Sequence, residues 1–412
     1  MTKAMPNNVN NTAMDMKTAL PEDAGISSER LARIDKFAQE LIDNKKTGGI
    51  VVLIARGGKV IYHKSFGFAD IESGTKLTTN YLFRLRSMTK PITSVALLTL
   101  YEQGKFKLTD PLELYIPAFR DVKVFEGFDK NGNIILVEPK RKITIHDVFR
   151  HTAGFSYGIG KGPVDRAYQE AGIKFRKLES LTELVEKLAK LPLLYHPGEK
   201  WVYSFAHDIQ AYLVEYFSGT PFDKYCIKKI FKPLGMKDTV FGIPSDYVSR
   251  FPTVYGPAEK GDGIIPIEKS GDPGGYAYYT KHPFGGHGLS STAMDYYKFG
   301  QMLLNKGELN GVRILGKEAV ELMTSNHLPK EIPGIMTLGG VGYGFGVSYV
   351  FDVANSGNLG SIGLFGWGGS ATTEFKADPK EDMAYLFFTQ YIPTDFGFVS
   401  KFQNLVYQAI VK

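Results

Sequence analysis

The sequence predicts an α+β fold in which an antiparallel sheet, built from both chain ends and flanked by helices, carries a mainly helical lobe inserted in the middle. Strand-like runs and one helix occur at the front of the chain and again at the back. The middle shows mainly helical periodicity, interrupted by loops. A chain of 412 residues, 43% of them hydrophobic, is long enough to bury the large core that this fold needs.

The predicted domain organisation follows from the same patterns. Residues 1–20 are polar and rich in asparagine, which predicts a mobile tail. Residues 21–412 are predicted to form a single domain with two lobes. The sheet lobe would comprise about 21–86 and 290–412, and the helical lobe about 87–289.

The first elements of the sheet lobe have clear local signals. Ser27 or Ser28 caps an amphipathic helix that is predicted to end near residue 44. Two strand-like runs, 49–56 and 59–67, are joined by a Gly-Gly pair that is typical of a two-residue hairpin. The later strands are predicted at 344–352, 362–366, 372–377 and 383–390, and further helices at 143–151, 180–190, 205–218, 291–306, 317–326 and 396–411.

Composition narrows the classes of function. The net charge of +6 comes from 49 basic and 43 acidic residues, and the basic cluster at 140–142 is too short to predict nucleic-acid binding. Cys226 is the only cysteine and no histidine spacing is typical of a metal site, so we expect no disulfide, metal or cofactor. No run predicts a signal peptide or a membrane span, so we expect a cytoplasmic protein, and its oligomeric state is not predicted.

The run Ser87-Met88-Thr89-Lys90 stands where an apolar helix is predicted to begin, because Pro91 is tolerated only in a first turn. Ser87 would lie at the positive end of the helix dipole, with Lys90 one turn further on the same face. An amine beside a serine hydroxyl can take its proton, so the motif predicts a nucleophilic serine that needs no histidine. The alternative interpretation is a serine that only caps the helix, followed by a solvated lysine, which would give the same Ser-x-x-Lys pattern.

A competing serine lies in Gly154-Phe155-Ser156-Tyr157-Gly158, which matches the G-x-S-x-G pattern of a nucleophile elbow. Such an elbow needs a strand before it and a helix after it. Here a helical pattern precedes the motif and a run rich in glycine follows it. Ser156 is therefore predicted to be a loop residue.

A second proton carrier is expected near Ser87, because a lysine with an ordinary pKa is a poor base at neutral pH. The strongest candidate is Tyr203, in a Pro-Gly-x-x-x-x-Tyr-Ser run that ends a loop and opens the helix at 205–218. The helix would anchor this tyrosine while its hydroxyl stays free. A packed core residue is the alternative interpretation in a chain with 23 tyrosines.

Together the motifs resemble those of the serine β-lactamase/penicillin-binding-protein superfamily, and most closely those of the family VIII carboxylesterases related to class C β-lactamases. The resemblance spans about residues 20–410 and keeps the family's order of motifs. It implies a β-lactamase/transpeptidase-like fold. The matching stretches are 87–90, 108–111, 143–148, 151–154, 197–198 with 203–204, 286–295, 342–346 and 366–369.

The resemblance also implies roles for individual residues. Ser87 would be acylated, Lys90 would orient or deprotonate it, and Tyr203 would act as base and then as acid toward the leaving alcohol. Whether Lys90 or Tyr203 is the primary base stays open. The oxyanion hole would use the backbone N–H groups of Ser87 and Ser370.

Two departures from β-lactamases concern the substrate. Trp367-Gly368-Gly369 stands where β-lactamases and penicillin-binding proteins generally carry K-T-G or H-T-G. The indole replaces a cation that helps to hold a carboxylate, while the two glycines would let the backbone approach the substrate. Phe205 stands where the class C pattern Y-x-N has an asparagine that contacts a substrate amide. Both changes favour neutral, apolar esters over β-lactams. The predicted oxyanion and substrate-binding residues are Ser370, Trp367, Gly368, Gly369 and Phe205.

The predicted function is a serine hydrolase that forms an acyl-enzyme on Ser87. We expect a carboxylesterase acting on short-chain or otherwise small neutral esters, so that its partner is a small-molecule ester. The alternatives are a β-lactamase, a D-amino-acid peptidase or an acyltransferase on the same scaffold. A non-catalytic relative that binds a ligand is the alternative from another class.

Overall fold

The computed structural model of the protein describes residues 16–173, 178–259, 263–269, 283–336 and 339–412. Eight of the described strands form one antiparallel sheet, in which three strands from the front of the chain lie beside five from the back. Helices pack on both faces of this sheet, and helices of the middle segment share one hydrophobic core with one of these faces. The predicted α+β fold with a sheet built from both chain ends is confirmed.

The strands have the following bounds. In chain order they are β1 (Gly49–Arg56), β2 (Lys59–Asp70), β3 (Thr75–Lys76), β4 (Phe83–Arg84), β5 (Val124–Phe128), β6 (Ile134–Val137), β7 (Val240–Phe241), β8 (Val254–Pro257), β9 (Ile264–Glu268), β10 (Leu289–Ser291), β11 (Glu308–Leu309), β12 (Val312–Arg313), β13 (Val341–Tyr343), β14 (Ser348–Val350), β15 (Phe365–Gly369), β16 (Thr373–Asp378) and β17 (Met383–Thr389). The large sheet has the order β13-β14-β15-β16-β17-β1-β2-β3, and β4, β10 and β7 form a small second sheet.

The α-helices lie at both ends of the chain and throughout its middle. In chain order they are α1 (Ser28–Asp43), α2 (Thr89–Tyr101), α3 (Ile145–Phe149), α4 (Pro163–Glu170), α5 (Leu181–Leu188), α6 (Ala206–Ser218), α7 (Phe222–Cys226), α8 (Lys232–Leu234), α9 (Ala293–Leu304), α10 (Lys317–Met323), α11 (Val353–Ser356) and α12 (Phe396–Tyr407). Within the described ranges, no helix combines the length and the apolarity that crossing a bilayer requires.

Strand β1 joins the two ends of the chain, because it pairs with β2 on one side and with β17 on the other. Its residues are buried from Gly49 to Ala55, as expected for a strand covered on both faces. Val51 and Leu53 belong to the core shared with α2 and α9, whereas the alternate residues belong to the core under α1 and α12. Strand β1 is therefore packed between two hydrophobic cores, one on each face of the sheet.

Helix α2 is the central helix of the molecule. All of its residues from Thr89 to Leu100 are buried, and it packs against α6 and α7. Its side chains are apolar apart from Lys90 and a few serine and threonine residues, a composition that is typical of a helix inside a protein rather than on its surface. The turn that precedes α2 therefore continues directly into a buried helix.

Residues 1–15 of the predicted tail lie outside the described residues. The rest of it, 16–20, lies along β2. The N–H of Val60 donates to the Lys17 carbonyl (2.8 Å), and the N–H of Ala19 donates to the Val60 carbonyl (3.1 Å). The tail and the boundaries of the two lobes otherwise stay predictions.

Most predicted elements of the sheet lobe agree with the structure, and two predicted strands differ from it. Ser27 caps α1 by accepting a hydrogen bond from the Arg30 N–H (3.3 Å). The strand predicted at 344–352 is reduced to β14, because residues 344–347 form the turn after β13, in which Gly346 adopts a positive φ of 78°. The strand predicted at 362–366 begins only at Phe365 and continues to Gly369 as β15.

Candidate active site

The candidate nucleophile lies in a tight turn between the small sheet and the central helix. Strand β4 leads through Leu85 into a 3₁₀ turn over Arg86–Met88, and α2 begins at the next residue. Arg86 has a φ of +50°, in the left-handed region that non-glycine residues seldom occupy. Ser87 is half-buried at the amino-terminal end of α2, as its position before Pro91 predicted.

The Lys90 side chain lies directly behind Ser87. Lys90 is 1% exposed, and its ammonium donates to Ser87 Oγ at 3.2 Å. A second hydrogen bond, to the carbonyl of Gly286, is 2.7 Å long. The serine-to-lysine spacing thus produces the contact that it predicted, since residues three apart share one helix face.

Tyr203 approaches the same ammonium from the opposite side. Lys90 Nζ lies 4.5 Å from the centre of the Tyr203 ring, within the range of a cation–π contact. The neighbouring residues hold the tyrosine in place. The N–H of Val202 donates to the His151 carbonyl (2.9 Å), and Ser204 Oγ is hydrogen-bonded to Nδ1 of the His151 ring (3.1 Å).

Strand β15 passes along the other side of the Ser87 turn. A Cβ on Gly369 would lie 2.2 Å from the Leu85 carbonyl oxygen, so only glycine allows the strand to approach this closely. Gly368 precedes it in the strand, and Ser370 follows in an exposed turn. The structure therefore brings the Gly-Gly-Ser segment beside the turn that carries Ser87.

Five aromatic residues, one of them Tyr203, pack against one another beside Lys90 and are here called the aromatic wall. Trp367 contacts Tyr203 (ring centres 5.7 Å apart) and Tyr343 (5.2 Å). Tyr157 and Trp201 contact Tyr203 on its other sides, at 5.3 and 6.0 Å. Trp367 itself is 6% exposed. The wall gives the site a largely apolar lining.

Phe205 follows Tyr203 closely in sequence but lies beneath the site. Its side chain is 2% exposed and packs edge-on against Tyr157, with ring centres 4.6 Å apart, and against Tyr168 at 6.4 Å. Phe205 thus supports the aromatic wall from below. Its predicted contact with a substrate stays a prediction.

The rival Ser156 has a structural environment. It is 2% exposed, donates to the Asp165 carboxylate (2.5 Å) and accepts from the Gly158 N–H (2.8 Å). Both bonds close the loop before α4. Ser156 has no basic side chain among its hydrogen-bond partners in the described residues, as expected for the loop residue predicted from its context.

Sequence reasoning did not assign roles to Asp208 and Gly286. The buried Asp208 carboxylate accepts from the Gly286 N–H (2.9 Å), and the same peptide's carbonyl accepts from Lys90. Asp208 is 78 positions from Gly286 in the chain, so no local pattern could have joined them. The position of Asp208 one turn into α6, below Tyr203, was the available signal.

Charge around Lys90 is balanced by Asp208 rather than by histidine. Burial raises the pKa of Asp208 to about 6, against the opposing effects of the Gly286 N–H and Lys90. Burial, and then the Lys90 charge, lowers the pKa of His151 well below its ordinary value. Burial, followed by His151 and Lys90, does the same to the pKa of His207. Both imidazoles are therefore neutral near pH 7, while Asp208 is mostly ionised.

The fold and the site geometry define a serine hydrolase of the β-lactamase fold. The family model described as Beta-lactamase matches residues 34–407, and the chain belongs to this family. Within the serine β-lactamase/penicillin-binding-protein superfamily it is close to the family VIII esterases, as the sequence motifs indicated.

Individual relatives agree with this assignment. The chain is similar to Protein Rv1367c of Mycobacterium tuberculosis, with 33% identity over 367 residues, 86% of this chain and 88% of the relative. It is 32% identical to Esterase EstB of Burkholderia gladioli over 285 residues, 64% of this chain and 67% of the relative. It is also similar to a solved structure named EstCE1, a hydrolase with promiscuous acyltransferase activity. That similarity has a TM-score of 0.78 and 26% identity, and covers 92% of this chain and 99% of the other.

Proposed function

We propose that the protein is a carboxylesterase that forms an acyl-enzyme on Ser87 and acts on small neutral esters. The observation that carries this proposal is the 3.2 Å hydrogen bond between Lys90 Nζ and Ser87 Oγ beside the aromatic wall. A buried amine in contact with a half-buried serine hydroxyl is the arrangement that an activated nucleophile needs. The similarity to Esterase EstB supports the same chemistry.

The proposed reaction has two halves. Ser87 Oγ attacks the ester carbonyl, and its proton passes to the pair formed by Lys90 and Tyr203. The Ser87 and Ser370 N–H groups stabilise the oxyanion, and losing one such donor typically costs about 10²–10³ in kcat. The alcohol leaves with a proton from the pair. Water then attacks the acyl-enzyme carbonyl and gives its proton to the same pair. The bond between the acyl group and Ser87 Oγ breaks, the pair returns the proton to Ser87 Oγ, and the acid is released.

The aromatic wall supports the choice of substrate class. Trp367 lies on β15 where a cation would be expected in a β-lactamase, and an indole cannot form an ion pair with a substrate carboxylate. The half-buried Tyr203 and the 6% exposed Trp367 place aromatic rings beside Ser87 and Lys90, and the fully buried Tyr343 packs behind Trp367. An uncharged acyl or alcohol group fits this lining better than a carboxylate does.

The test is covalent labelling with a fluorophosphonate followed by peptide mapping. The wild-type protein is expected to carry the label on Ser87, and Ser87→Ala is expected to lose both the label and the hydrolysis of p-nitrophenyl butyrate. Label on Ser156 with Ser87 unmodified would overturn the mechanism. Faster hydrolysis of benzylpenicillin than of p-nitrophenyl butyrate would overturn the substrate class alone.

Acyl transfer is a second candidate function. An apolar lining disfavours bulk water around the acyl-enzyme and favours an alcohol as the acceptor. The similarity to EstCE1, a hydrolase with promiscuous acyltransferase activity, points the same way. The two functions differ in product. Incubation of p-nitrophenyl butyrate with added 1-propanol would give propyl butyrate from a transferase and butyrate alone from a strict esterase.

A further inference from the structure

Glu268, the last residue of β9, forms a bridge between two arginines on either side of Leu85. Its Oε1 accepts a 2.7 Å hydrogen bond from Arg84 Nε, and its Oε2 lies 3.7 Å from Arg86 Nη2. All three side chains are largely buried. The exposed fraction is 13% for Glu268, 0% for Arg84 and 19% for Arg86. One carboxylate therefore contacts both residues that flank Leu85, and the second of them, Arg86, directly precedes Ser87.

The two arginines are held very differently. Arg84 is fully buried, and its guanidinium also donates to the Pro252 carbonyl (2.7 Å) and to the Gln390 side chain (3.3 Å). These bonds fix Arg84 to the segment before β8 and to the residue that follows β17. Arg86 lies at the start of the 3₁₀ turn. Glu268 connects the buried Arg84 to Arg86, which lies inside the turn.

The turn needs such a connection because its backbone is strained. Arg86 adopts a φ of +50°, and a non-glycine residue keeps this conformation only when its surroundings hold it there. Its carbonyl accepts from Thr89 Oγ1 (2.7 Å), which fixes the carboxyl side of the residue. The ion pair with Glu268 fixes its side chain. A change in this φ would move the next N–H, which belongs to Ser87.

We propose that Glu268 is a positioning residue for acylation: by pairing with Arg84 and Arg86 it holds the left-handed turn that orients the Ser87 hydroxyl and N–H. This inference rests on the proposed function of Ser87 as the nucleophile. Glu268 acts through Arg86 and contacts no reacting atom. A displacement of about 1 Å in a reacting group can cost roughly 100-fold in rate, so a loosened turn has a measurable effect.

The first test compares Glu268→Gln with a matched control, Glu381→Gln. Glu381 pairs with Arg56 at 2.9 Å with similar side-chain exposure, 23% and 15%, but lies at the far end of β1. Active sites are counted by fluorophosphonate titration, so that kcat refers to folded, competent protein. Glu268→Gln is expected to lower kcat and the labelling rate constant by roughly 10- to 100-fold, with KM within about twofold. Glu381→Gln is expected to change neither.

The second test uses Arg86→Ala, which leaves the buried contact between Glu268 and Arg84 intact. This variant can therefore be studied even if Glu268→Gln is too unstable to purify. It is expected to lower kcat per titrated site as Glu268→Gln does. In the Arg86→Ala background, Glu268→Gln should lower kcat per titrated site by less than about a further threefold, because the interaction that both residues share is already lost. Fully multiplicative losses would overturn the proposal, as would a Glu268→Gln protein with normal kcat per titrated site.

The two proposals fail in different ways. Label that maps to a residue other than Ser87 in the wild-type protein would refute the proposed function. Label on Ser87 at an unchanged rate in both Glu268→Gln and Arg86→Ala would refute the positioning role alone. A loss of thermal stability that leaves kcat per titrated site unchanged would likewise assign the bridge a purely structural role.

Discussion

The indole Nε1–H of Trp367 donates to the hydroxyl oxygen of Tyr203 across 3.4 Å. An indole can only donate, so this contact leaves the tyrosine's own proton available to another acceptor. A donor aimed at the phenol oxygen also stabilises the negative charge that grows there when the proton leaves. Trp367 thus combines two features in one side chain: an apolar ring that is proposed to contact the substrate, and a hydrogen bond to the candidate base.

Two substitutions of Trp367 separate these features. Trp367→Phe removes the N–H but keeps a flat ring, and we expect kcat for p-nitrophenyl butyrate to fall by roughly 2- to 10-fold, the worth of one neutral hydrogen bond. Trp367→Ala also removes the ring contacts with Tyr203 and Tyr343, and we expect a higher KM as well. Steady-state kinetics measures both. An unchanged KM in Trp367→Ala would contradict contact between the indole and the substrate.

Removing the Tyr203 hydroxyl tests proton transfer. Tyr203→Phe keeps the ring that lies 4.5 Å from Lys90 Nζ, so the packing is preserved. We expect kcat to fall by about 10²–10⁴-fold with little change in KM, as for the loss of a general acid–base group. Tyr343→Phe is the matched control, since Tyr343 is buried in the same aromatic wall. Equal effects of the two changes would show that Tyr203 acts only through packing.

Local signals carried the successful predictions. A serine and a lysine three residues apart must share one face of α2, and Pro91 fixes where that helix begins, so the contact between Ser87 and Lys90 followed from spacing. The apolar run of β1 and the Ser27 cap are equally local. These features depend on neighbours in the chain, which the sequence displays directly.

Features that depend on distant contacts could not be predicted in the same way. The bond between Asp208 and Gly286 joins residues 78 positions apart, and the packing of Phe205 under Tyr157 depends on where a separate loop returns. Pattern comparison placed Phe205 next to a substrate because it follows Tyr203 by two residues. Its 2% exposure and its packing on Tyr157 come from contacts that the motif does not display, and its contact with a substrate stays a prediction.

The rival serine gives a prediction about stability rather than activity. Ser156→Ala removes the hydrogen bonds to Asp165 and from Gly158, and leaves a buried carboxylate without this partner. We expect the free energy of unfolding to fall by about 1–3 kcal/mol. The kcat per titrated active site should stay within about twofold of the wild-type value. Denaturant unfolding and active-site titration measure the two quantities, and loss of Ser87 labelling in the folded variant would contradict the structural role.

Asp208 makes the stability of the protein depend on pH in a defined direction. Burial raises its pKa from 3.8 to about 6, so between these values the folded protein holds a proton that the unfolded chain has released. The free energy of unfolding contributed by this group therefore falls as the pH rises from about 4 to 6, and levels off above. In Asp208→Asn the side-chain oxygen can still accept from the Gly286 N–H, but the titration is gone. We expect the stability of the variant relative to wild type to increase by on the order of 3 kcal/mol between pH 4 and pH 7. Urea unfolding of both proteins across this range measures the difference, in which other titrating groups cancel. A difference that stays constant with pH would mean that Asp208 is ionised throughout, held by Lys90 more strongly than burial opposes it.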